Sequence, residues 1–188
     1  PLCHAVPMET ERALDADLDI LRAAFAADVR LAPLGWDAVR AFEAEHGITL
    51  PEPYRTFVAE IADGSPAGPP YHGLLPLDEV PVGREDTGPL SPGDPFPLTG
   101  MWVWEDDDEE PDPETLKTVF NHGSIVLGTD GSGMDWHLVV TGPQRGHVWQ
   151  LTGEGAGPSG PGSGFTAVEA PGFAGWVDHW ARGLPWFE

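Results

Sequence analysis

The chain has 188 residues but one cysteine, Cys3, and one lysine, Lys117. A single thiol cannot close an internal disulfide, so the fold must rest on its core, and a cytoplasmic location is the expectation. Positive charge is scarce, with 9 Lys+Arg against 31 Asp+Glu and a formal net charge of −22. Phosphate backbones are held by basic residues that displace counterions, so this balance opposes a nucleic-acid role. It equally disfavours an anionic membrane surface. Long apolar runs are missing: Ile125-Val126-Leu127 and Leu138-Val139-Val140 are strand-sized, far short of the roughly 20 residues that cross a bilayer. Pro1-Leu2-Cys3-His4 carries neither the basic start nor the apolar stretch of a secretion signal.

Loop formers are abundant. With 24 Gly and 21 Pro loops must take a large share, which disfavours a helical bundle, while 40% hydrophobic residues supply a core for a single domain. Leu14, Leu18, Leu21 and Phe25 fall at helical spacing and predict an amphipathic helix over about 10–29, with Thr10 as its N-cap. A second helix is expected over about 37–46, stopped by Gly47, and a third after Pro51-Glu52-Pro53 that turns Tyr54, Phe57, Val58 and Ile61 inward. Gly73 to Leu77 reads as an edge strand and 78–100 as a long loop. Strands are expected at 101–104, 124–127, 136–141 and 147–151, the last two joined as a hairpin, followed by a Gly/Pro/Ser loop over 153–164. Phe173, Trp176, Val177 and Trp180 restore helical spacing at the end. The order predicts an α+β fold, a twisted antiparallel sheet with N-terminal helices and a C-terminal helix. Residues 1–33 are read as a helical extension packed on a domain spanning 34–188.

Three constellations bear on function. Glu105, Asp106, Asp107, Asp108, Glu109, Glu110, Asp112 and Glu114 make eight of ten positions acidic. Like charges this dense cannot fold inward, so the run is a solvated loop or a docking surface for a basic protein. It lacks the calcium-loop pattern. Trp102 and Trp104, just before it, sit two apart on one strand face, where they either anchor a partner or cover the sheet under a helix. Together Trp102, Trp104, Glu105, Asp106, Asp107, Asp108, Glu109 and Glu110 form the expected partner-binding site. Asp130, Ser132, Asp135 and His137 lie within eight residues, a spacing compatible with a base and its orienter, yet Asp130-Gly131-Ser132-Gly133 encodes a strand turn more economically. Neither His-Glu-x-x-His nor Cys-x-x-Cys occurs, although His122 and His137 meet if their strands pair; no metal or other cofactor is expected.

The segment Phe42-Glu43-Ala44-Glu45-His46-Gly47-Ile48-Thr49-Leu50-Pro51-Glu52-Pro53-Tyr54-Arg55-Thr56-Phe57 resembles the SUKH superfamily, the Smi/Knr-type proteins. The resemblance extends to Asp63-Gly64, to Gly73–Leu77, to the 138–149 hairpin and to the closing aromatic helix. It implies an α+β fold and no catalysis. Many bacterial members are thought to be immunity proteins that neutralise a toxin, often a nuclease, whereas fungal relatives are intracellular scaffolds. Tyr54, Arg55 and Phe57 match the motif and are carried over as structural positions. The leading expectation is therefore a non-enzymatic, immunity-type protein that meets a basic toxin domain through an acidic surface, with a toxin-free regulatory scaffold as the alternative.

Overall fold

The computed structural model describes residues 12–82, 84, 87–106 and 111–187. Three helices come first, α1 (Asp15–Ala24), α2 (Trp36–His46) and α3 (Tyr54–Glu60). Strand β1 (Trp102–Val103) and helix α4 (Pro113–Asn121) follow a long irregular stretch. Then come β2 (Ser124–Gly131), β3 (Met134–Val139), β4 (Val148–Leu151), β5 (Gly155–Ser159) and the closing α5 (Gly172–Ala181). The strands form one antiparallel sheet in the order β1-β5-β4-β3-β2, so the expected α+β class is observed.

Alternation along the strands feeds two cores. On one face Ile125, Leu127, Trp136, Leu138 and Val148 meet Leu18, Leu21 and Phe25 of α1, Tyr54, Phe57 and Val58 of α3, and Phe173, Trp176 and Val177 of α5. The segment ahead of residue 34 thus contributes side chains to the main core. On the other face Val139, Trp149, Leu151 and Ala156 are covered by Phe96, Trp104 and Val119, with Leu116 and Phe120 of α4 packed alongside. Burying apolar side chains on both faces at about 25 cal/mol per Å² supplies the main stabilisation.

Glycine and polar caps set the punctuation. Gly47 caps α2 in the left-handed region at φ +66. Ser132 and Gly133, at φ 54 and 75, form the two-residue turn between β2 and β3, the backbone twist that suits a tight hairpin. Several expectations are corrected. The first helix starts at Asp15 after Leu14, and the Thr10 cap lies outside the described residues. Gly73–Leu77 is not a regular strand. Instead His72 and Leu75 donate to Thr129 and Leu127 carbonyls at 3.3 and 2.8 Å, covering the free edge of β2. Within 153–164, read as loop, lies β5. Helix α4 occupies the end of the acidic run: Asp112 is its N-cap, accepting from the Thr115 amide at 3.1 Å, and Pro113 takes the first turn.

Candidate functional site

The motif segment is a clasp between two helices. Glu43, buried on α2, accepts from Arg55 Nε at 2.7 Å and Arg55 Nη2 at 2.9 Å. The same carboxylate accepts from the Leu50 amide at 2.9 Å. A planar guanidinium fits a carboxylate two-pronged, so the pair fixes the angle of α2 to α3 and holds the intervening turn. Arg55 also lies over the Trp36 ring at 5.2 Å, and Trp36 Nε1 donates to Glu60 at 2.8 Å. Hydrogen bonding to Glu43 raises the Arg55 pKa, against the opposing effect of burial. Tyr54 and Phe57 are fully in the core. These residues hold the scaffold.

The acidic constellation on the β2–β3 hairpin is split by the sheet. Asp130 sits with Trp136 on the main-core face, while Asp135 and His137 point to the opposite face and Ser132 is exposed at the turn tip. No base–nucleophile pair forms among them. His137 is fully buried, with Nδ1 2.9 Å from Ser124 Oγ and Nε2 3.4 Å from Arg84 Nη1. A guanidinium only donates, which assigns the ring proton to Nδ1. Burial, with the nearby Arg84 charge second, drives the imidazole pKa well below its ordinary value, so the ring is neutral at physiological pH. Arg84 is anchored by Asp135 at 3.3 Å, the Phe120 carbonyl at 2.9 Å and Asn121 Oδ1 at 3.0 Å. Asn121 in turn donates to the Thr87 carbonyl. This network rivets the long irregular stretch to the outer sheet face, with Arg84, Asp135 and His137 all buried. His122 does not meet His137; its Nε2 is 4.0 Å from Asp94. Among the described residues no group of three His, Cys, Asp or Glu could hold a metal, and no helix is long and apolar enough to cross a membrane.

The expected partner-binding site is altered by the structure. The strand ends at Val103, and Trp104 opens a short 3-10 turn over Trp104–Asp106. Trp104 is 5% exposed and donates Nε1 to the Gly153 carbonyl at 2.7 Å. An open tryptophan pair is therefore excluded. Trp102 is half-buried and meets Trp104 edge to face at 5.2 Å, and Phe120 of α4 meets Trp104 in the same way at 6.2 Å. The pair covers the sheet beneath a helix. Trp104 still lines a cleft of about 470 Å³ with Pro111, Pro113, Leu116 and Phe120. Around it Glu105, Asp112 and Glu114 are exposed; Asp107, Asp108, Glu109 and Glu110 lie outside the described residues, as does the Asp106 side chain. Lys117 at the rim is held by Glu114 at 2.7 Å. Sequence reasoning missed the cleft because α4, which forms its wall, was hidden in the acidic run; the Asp112-Pro113-Glu114 start signal could have located it.

The chain matches no curated protein and no solved structure. The model of the SMI1 / KNR4 family (SUKH-1) matches residues 33–179, from the approach to α2 into the last turn of α5. That span includes the clasp, the outer core and every described strand, while α1 of the main core lies ahead of it, and the chain belongs to the SMI1 / KNR4 (SUKH-1) family.

Proposed function

We propose that the chain is a non-enzymatic, cytoplasmic protein-binding domain, an immunity-type inhibitor that neutralises a nuclease-like toxin through its acidic surface. The observation that carries this reading is an apolar cleft edged by exposed carboxylates in a chain of net charge −22. Nuclease clefts are basic because they hold phosphate, and a negative surface occupies them as a decoy. An apolar floor with a charged rim is the anatomy of a specific interface: the floor supplies affinity, the rim supplies rate and selectivity. Membership of a family of immunity and regulatory proteins supports the same reading. The residues expected to make contact are Glu105, Asp112, Glu114 and Leu116, together with the carboxylates of 107–110.

The test is to read the frames that flank this gene and co-express the chain with any that proves toxic. Growth should be rescued, and affinity for the purified toxin domain should fall as salt rises from 50 to about 500 mM, since exposed charges are screened over roughly 10 Å at 0.1 M. A complex whose affinity ignores salt would refute the decoy mechanism. A harmless neighbouring frame with no rescue would replace immunity by the toxin-free regulatory role of a Smi/Knr-type scaffold.

A further inference from the structure

Across the sheet from the cleft at Trp104 is a second hollow with a different chemistry. It measures about 560 Å³ and is walled by Tyr71, Trp180, Trp186, Pro66 and Pro70, with Asp130 as its charged group. That volume lies within the range of ordinary small-ligand sites. Tyr71 is 83% exposed, an unusual position for a large ring, and among the described residues His72 is its one aromatic neighbour. Trp180 and Trp186 are half-buried and braced from behind, Trp180 against Phe25 at 5.8 Å and Trp186 against Trp136 at 5.0 Å. Those two walls are therefore braced aromatic faces, while Tyr71 stands exposed beside them.

Asp130 is held in place by three donors. Its Oδ1 accepts from the Tyr71 amide at 3.0 Å, and its Oδ2 from Trp136 Nε1 at 2.8 Å and Gln150 Nε2 at 3.3 Å. All three donors are uncharged, so they orient the carboxylate without neutralising it. A carboxylate offers roughly four lone-pair positions, which leaves acceptor capacity on the cleft side. A fixed anion among tyrosine, tryptophan and proline surfaces is complementary to a flat, weakly hydrated cation.

We propose that this cleft receives an arginine side chain of a protein partner, its guanidinium paired with Asp130 and stacked against Tyr71 and Trp186. The occupant's identity as part of a protein rests on the function proposed above; the cleft's preference for a guanidinium rests on its own chemistry. Arginine is favoured over lysine because a compact ammonium holds its water and cannot stack on an aromatic face.

The probe is Nα-acetyl-arginine methylamide, titrated into the intact chain while the tryptophan indole NMR signals are followed. The Trp186 and Trp180 signals should shift and saturate in the millimolar range. The neutral citrulline analogue and the lysine analogue should each bind at least about fivefold more weakly. Tyr71→Ala, which leaves the 71 amide in place to hold Asp130, should weaken arginine binding about fivefold; Asp130→Asn should weaken it further. Equal binding of citrulline or lysine, shifts confined to other tryptophans, or undiminished binding by Tyr71→Ala would each overturn the proposal. Toxin rescue by Tyr71→Ala separates the two readings: full rescue with no arginine binding in wild type removes the cleft's role and leaves immunity standing.

Discussion

Acid should loosen this fold through one imidazole. His137 is fully buried against Ser124 and Arg84, and burial lowers its pKa well below 6.5. In the unfolded chain the same ring titrates near 6.5. Below that pH the unfolded state binds a proton that the native state refuses, so stability falls with falling pH, by up to about 1.4 kcal/mol per unit. Between pH 6.5 and 5.0 the loss is at most about 1.6 kcal/mol, reached if the native ring stays unprotonated throughout, against a typical total of about 5–15 kcal/mol. The assay is urea unfolding at half-unit steps from pH 8 to pH 5, on wild type and His137→Gln. Glutamine retains a polar contact to the site and removes the titration, so the wild-type minus variant difference isolates this ring. The difference should be flat above pH 7 and slope below it. Parallel curves for the two proteins down to pH 5 would refute the buried-neutral assignment. Asp63 acts in the opposite sense at lower pH: burial raises its pKa, so the native state takes up its proton first and this residue adds stability as pH falls toward 4.

Two further outcomes follow from packing. Glu43→Ala removes the acceptor for the Leu50 amide and for both Arg55 contacts, and should cost about 2–4 kcal/mol, or about 5–10 °C in Tm; in a double-mutant cycle Arg55→Ala should add little once Glu43 is gone, and full additivity would refute the clasp. Gly123→Ala should cost about 3 kcal/mol by thermal unfolding, because φ is +66 and a Cβ would stand 2.1 Å from the Phe96 amide; an unchanged Tm would refute the tight approach of the 91–96 segment to the sheet.

Local pattern carried much of the fold. The stripes of α1, α3 and α5 are legible because each buries apolar residues at helical spacing, and the β2–β3 and β3–β4 hairpins because Gly131-Ser132-Gly133 and Gly142–Gly146 break apolar runs. Strand β5 was not legible. Gly155-Ala156-Gly157-Pro158-Ser159 has little β preference, and its pairing depends on bare backbone: a Cβ at Gly155 would meet the Trp102 carbonyl at 2.9 Å, and one at Gly157 the Phe165 ring at 2.4 Å. The functional side was less legible for the same reason of distance along the chain. Arg84 joins residues 37 and 51 positions away, and Tyr71 reaches Asp130 across 59. No window of sequence contains such a meeting. What was readable at Asp130 was the turn, while the aromatic walls come from Tyr71, 59 residues earlier, and from Trp180 and Trp186 at the far end of the chain.

The two inward-turned arginines have a consequence for behaviour in solution. Arg55 and Arg84 are spent on Glu43 and Asp135 inside the fold, and Arg22, Arg40, Lys117 and Arg182 each lean on an acid one turn away. Six of the nine basic side chains thus have a carboxylate beside them, which leaves the surface charge strongly negative. In dilute buffer, where the screening length is about 30 Å at 0.01 M, neighbouring molecules push one another apart and crowding is resisted. Brine near 1 M shortens that reach to about 3 Å, and the mutual push is then lost.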